Sequence, residues 1–67
     1  MDISLNGEPH QFTGASLIDL LAAQAIDHAK PGVAVAVNDA IVPRAEWASA
    51  SLQAGDVVEI VRPHSGG

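Results

Sequence analysis

Asp2-Ile3-Ser4-Leu5-Asn6-Gly7-Glu8-Pro9-His10-Gln11-Phe12-Thr13-Gly14-Ala15-Ser16-Leu17-Ile18-Asp19-Leu20-Leu21 holds two signals from which the rest of the architecture follows. In its first half Ile3 and Leu5 alternate with polar neighbours, the period of a half-buried strand. Asn6-Gly7 then supplies two residues that tolerate positive φ, as a type I′ hairpin turn requires. The chain is expected to return through Glu8 to Thr13 with Phe12 inward. Pro9 predicts an edge strand, where its missing N–H breaks no ladder. In the second half Ser16 is an N-cap, and Asp19 three residues on completes a capping box. Leu17, Leu20, Leu21 and Ala25 recur at helical spacing and are expected to face the sheet.

Beyond this stretch Pro31-Gly32 cannot continue a helix, so its end is expected near Asp27 or His28. Val33, Val35 and Val37 alternate with Ala34 and Ala36 along a third strand. Asn38-Asp39 is a second tight-turn signal leading into Ala40, Ile41 and Val42, which Pro43 stops. Arg44 to Ser51 reads as irregular, with one helical turn near Trp47. Ala54-Gly55-Asp56 turns the chain into a last strand, Val57 to Val61, with Val58 and Ile60 inward. The order β-β-α-β-β-β predicts an α+β domain, a mixed sheet packed on one main helix, as in the ubiquitin-like β-grasp. Residues 1–61 are expected to form that domain and residues 62–67 a flexible C-terminal tail.

Composition narrows the function. A chain of 67 residues buries too little to enclose a substrate pocket, which favours a carrier over a self-contained enzyme. Three Lys and Arg against eight Asp and Glu give a net charge of −5, which disfavours nucleic acid as a partner. The absence of cysteine excludes disulfides, thiolate metal sites and a nucleophilic thiol on this chain. It agrees with a reducing, cytoplasmic location. No basic region followed by an apolar run opens the sequence and no stretch is long enough to span a bilayer, so neither signal peptide nor membrane association is expected. His10, His28 and His64 are too scattered for metal spacing and read as surface residues. No catalytic residue, metal site or bound cofactor is expected.

The chemistry is expected in Arg62-Pro63-His64-Ser65-Gly66-Gly67. Six extended residues reach about 20 Å, enough to enter a partner's active site while the domain stays outside. Gly66 and Gly67 lack side chains and pass a narrow channel. The terminal carboxylate, ionised at neutral pH, can attack a nucleoside triphosphate and form an acyl adenylate open to a sulfur or amine nucleophile. On the last strand Val57, Glu59 and Val61 are expected to point away from the helix and, with Arg62, to make the candidate docking surface beside the tail. Trp47 reads as core, with a partner anchor as the alternative. Arg44 either pairs across an interface or fixes the loop beside Trp47.

Val35-Ala36-Val37-Asn38-Asp39-Ala40-Ile41-Val42-Pro43-Arg44-Ala45-Glu46-Trp47 resembles the central stretch of the thiamine-biosynthesis sulfur carriers, the ThiS family. Asn6-Gly7, Leu20-Leu21, Leu52 with Gly55-Asp56, and Gly66-Gly67 match at similar spacing, so the resemblance covers nearly the whole chain. It implies a carrier that is a substrate and not an enzyme. An adenylating enzyme related to ubiquitin-activating enzymes would use ATP and magnesium to adenylate Gly67. Sulfur from a persulfide donor would convert Gly67 to a thiocarboxylate, and thiazole synthase would take that sulfur for the thiazole of thiamine. One departure stands out: the family often places apolar residues before Gly-Gly, where this chain has Arg62-Pro63-His64-Ser65. That tail is similar to the small subunit of molybdopterin synthase. Sulfur delivery to molybdopterin is therefore an alternative, and a ubiquitin-like protein modifier is another.

Overall fold

A computed structural model of the chain describes residues 1–63. Strands β1 (Asp2–Leu5) and β2 (Glu8–Gln11) form the expected antiparallel hairpin, with Ile3 opposite His10. Asn6 at φ 51° and Gly7 at φ 84° both lie in the left-handed region, as the type I′ turn demands. β2 ends at Gln11, short of the expected Thr13. Pairing nevertheless reaches Phe12, whose N–H donates to the Met1 carbonyl at 2.9 Å. The N-terminal ammonium returns a bond of 2.7 Å to the Phe12 carbonyl.

Helix α1 (Leu17–Ala23) opens with the complete capping box. The Ala15 and Ser16 N–H groups donate to Asp19 Oδ2 at 3.0 and 3.1 Å. These bonds, Ala15 first, favour the ionised form and lower the Asp19 carboxyl below the ordinary aspartate range. Leu17, Leu20 and Leu21 are fully buried on the sheet.

The helix stops earlier than the Pro-Gly signal suggests. The Ile26 N–H bonds the Leu21 carbonyl at 2.9 Å and the Ala25 N–H bonds the Ala22 carbonyl at 3.0 Å, the paired closure of a Schellman motif. Ile26 is thereby drawn against the core, a gain that a longer helix would lose. Ala25 is consequently exposed and does not face the sheet, and it sits at φ 58°. An L-residue there costs about 1–2 kcal/mol, whereas glycine would cost about 0.5–1 kcal/mol in unfolded-chain entropy. Ala25→Gly is therefore expected to stabilise the domain by about 0.5–1 kcal/mol, measured as a raised urea midpoint at unchanged m-value.

β3 (Ala34–Val37), β4 (Ala40–Ile41) and β5 (Val57–Val61) complete one sheet of order β2-β1-β5-β3-β4. β4 is one residue shorter than expected, although the Val42 N–H still bonds the Val35 carbonyl. β5 lies between β1, with which it runs parallel, and β3, with which it runs antiparallel. This is the mixed sheet on one helix that the element order predicts, with Pro9 on an edge strand.

Between β4 and β5 the chain makes a 3₁₀ turn (Arg44–Glu46) and places Trp47 in the core, 1% exposed. The rest of that segment is held to the helix entrance: Leu17 N–H donates to the Ala50 carbonyl at 3.0 Å and Leu52 N–H to the Ala15 carbonyl at 2.9 Å. Ile3, Phe12, Val35, Leu52, Val58 and Ile60 close the core around the three helix leucines.

Candidate functional site

Both neighbours of β5 fix that strand with more than ladder bonds. Asn6, at the β1–β2 turn, accepts the Ile60 N–H on its side-chain oxygen at 2.8 Å. Asn38, at the β3–β4 turn, accepts the Val57 N–H at 2.9 Å and donates its amide to Asp56 at 3.1 Å. Asn38 at φ 51° and Asp39 at φ 69° form a second turn with two positive φ values. The same asparagines that permit both hairpins therefore clamp β5 from either side. The sequence marked them only as turn residues; an asparagine where glycine would serve the backbone equally well was the available signal.

Alternation along β5 sends Val58 and Ile60 into the core and leaves Val57, Glu59 and Val61 exposed. Register carries this outer face across the sheet. Ala34 stands opposite Val61, Ala36 opposite Glu59, and Ile41 opposite Ala36. Ile41 is 73% exposed, Val61 64% and Val57 43%. An apolar surface spread over three strands therefore surrounds Glu59, the kind of patch that marks an interaction site. The sequence nominated Val57, Glu59, Val61 and Arg62, and the strand order adds Ile41 and Ala34. Arg62 is exposed at the end of that face. Ser65, Gly66 and Gly67, the expected chemical residues, lie outside the described residues, as does His64.

Arg44 fixes the loop. Its guanidinium donates to the His28 carbonyl and, at 2.8 Å, to the Lys30 carbonyl. It also lies over the Trp47 ring, 4.8 Å from the centroid. Trp47 itself is core, and its indole N–H is satisfied by the Val42 carbonyl at 2.8 Å. Among the remaining candidates, His10 is half-buried with its Nε2 atom 3.5 Å from the Gln24 amide nitrogen, and His28 is exposed. Among the described residues, no group of three or more His, Asp or Glu is placed to hold a metal ion. No helix among them is long and apolar enough to cross a membrane.

The profile of the ThiS family matches residues 3–67. The sulfur carrier protein ThiS of Escherichia coli (strain K12) is 33% identical over 67 residues, the full length of both chains. The crystal structure of the thiamine biosynthesis protein ThiS from Geobacter metallireducens superposes with a TM-score of 0.79 at 28% identity, covering all of both chains. The solution structure of a thiamine biosynthesis protein from the same organism gives a TM-score of 0.81 at 28% identity, covering all of this chain and 88% of the other.

Proposed function

Since this chain belongs to the ThiS family of sulfur carrier proteins, we propose that Gly67 carries the sulfur, as a thiocarboxylate destined for the thiazole of thiamine. The observation that supports this most directly is a family match that runs to residue 67 and so takes in the whole of Arg62–Gly67. The Gly67 carboxylate attacks the α-phosphorus of ATP, held with magnesium by a partner adenylating enzyme, and pyrophosphate leaves. A persulfide sulfur then attacks the acyl carbon and AMP leaves. A second thiol breaks the S–S bond of the resulting acyl persulfide, forming a disulfide and freeing the thiocarboxylate. This chain has no cysteine, so both thiols belong to partners. Thiazole synthase is the proposed acceptor. The test is the intact mass of the protein purified from its own host without reductant. A species heavier by one oxygen-to-sulfur exchange, localised to the C-terminal peptide, is expected. The unmodified mass alone, even after incubation with ATP, a sulfur source and the host's adenylating enzyme, would overturn the reading.

The outer face of the sheet is the proposed dock for the adenylating enzyme. Its apolar residues adjoin the end of β5, so an enzyme seated there has the departing chain within reach. Val61→Glu places a charge in that contact while changing only an exposed side chain. The KM for the carrier in ATP–pyrophosphate exchange is expected to rise about tenfold, equivalent to about 1.4 kcal/mol of binding. The unfolding free energy should stay within about 0.5 kcal/mol. An unchanged KM would place the dock elsewhere.

A further inference from the structure

Arg62-Pro63, the departure from the family pattern, meets a particular surface. The Pro63 ring lies over Gly32: a β-carbon built on Gly32 would stand 3.0 Å from Pro63 Cγ and 3.2 Å from Cδ. Gly32 is also at φ 96°, a conformation that L-residues rarely adopt. Both the backbone shape and the space at this position are therefore those of glycine. On its other flank the 28–32 loop is held by Arg44, whose fork binds the His28 and Lys30 carbonyls and whose face rests on the core tryptophan. An open groove of ≈ 600 Å³ runs beside Arg62 and Pro63, lined by Ile26, Lys30 and Val33 among others.

We propose that Trp47, Arg44, Gly32 and Pro63 form a bracket that sets the direction in which the chain leaves β5, making Arg44 and Gly32 positioning residues for the delivery of Gly67. The delivery role rests on the carrier function proposed above; the bracket itself does not. Its parts act in series. Trp47 is fixed by the core and Arg44 is fixed by Trp47. Arg44 holds the loop carbonyls, and the loop presents Gly32 to the Pro63 ring. A chain leaving in a set direction searches fewer orientations before its end meets an active site. The contribution is one of pre-organisation and falls on turnover.

Two measurements on the full chain test this. The first is ¹⁵N relaxation of the Arg62 amide in the unmodified protein and in Arg44→Ala, Pro63→Ala and the double variant. Each single change is expected to raise mobility at that amide while core amides such as Val58 stay unchanged. The double variant should be no more mobile than the singles, because one broken link already frees the chain. The second is ATP–pyrophosphate exchange by the host's adenylating enzyme with the carrier as varied substrate. There kcat is expected to fall about tenfold with KM within about twofold, a split that loss of docking or of folded protein would not give. Pro63 lies outside the core, so Pro63→Ala reports even if Arg44→Ala impairs folding. Unchanged relaxation in both single variants, additive effects in the double, or a loss confined to KM would each overturn the proposal. Absence of exchange with the unmodified chain would count against the carrier reading, and relaxation alone would then decide the bracket.

Discussion

Removal of Gly67 is expected to abolish sulfur loading while leaving the domain as stable as before. Every core residue among the described residues lies between Ile3 and Ile60, so removing Gly67 leaves that core whole. The urea midpoint should not move. The truncated chain still ends in a glycine carboxylate of the same intrinsic reactivity. That group falls short by up to about 3.6 Å, the span of one extended residue. Misplacing a reacting group by even 1 Å can cost on the order of 10²-fold in rate, so ATP-dependent loading should fall at least that far. Intact mass after incubation with the adenylating enzyme and a sulfur source reads this directly. One glycine added after Gly67 gives the complementary test, since it too preserves the chemistry and displaces the carboxyl carbon. Equal loading of all three chains would show that carboxylate position is not selected and would overturn the assignment of the chemistry to Gly67 itself.

Trp47→Ala is expected to be the most destabilising single substitution in the described domain. A domain of this length holds on the order of 3–10 kcal/mol of net stability. Removing a buried aromatic side chain costs about 3–5 kcal/mol in lost transfer energy and cavity, and Trp47 is 1% exposed among the ten residues of the core. The Val42 carbonyl also loses its indole partner. At about 4–8 °C per kcal/mol for a domain of this size, the midpoint should fall by at least about 12 °C. Trp47→Phe separates the causes: it keeps most of the apolar surface and loses the N–H donor, for an expected cost of about 1–3 kcal/mol. A loss of less than about 1 kcal/mol in the alanine variant would mean that the side chain is not the core element its burial indicates.

Both predictions concern residues that the sequence singles out, but for different physical reasons. The hairpin at Asn6-Gly7, the turn at Asn38-Asp39 and the capping box at Ser16 and Asp19 are determined by neighbours within a few positions. A local pattern suffices to read them. The inward set on β5 was legible for the same reason, because alternation needs only the strand itself. The helix ends at Ala23, before the place that Pro31-Gly32 predicts, because that pair marks where a helix must have stopped and not where it does. The stop is set by Ile26, whose N–H bonds back to the Leu21 carbonyl while its side chain packs against the core.

What no local pattern carries is adjacency across the sheet. Ile41 joins Val57 and Val61 only because β3 lies between β4 and β5, and the β3–β5 side of that placement pairs residues as far apart as Ala34 and Val61. The second function of Asn6 depends on Ile60, 54 positions away. Arg44 left two roles open in the sequence, and the fold chose between them by bringing the carbonyls of residues 28 and 30 within reach of its guanidinium. The turns, the cap, the strand alternation and the Gly-Gly ending were thus already legible in the residues. The surface around Glu59, the clamp on β5 and the seat for Pro63 arise from long-range packing, since each joins groups whose separation along the chain says nothing of their distance in space.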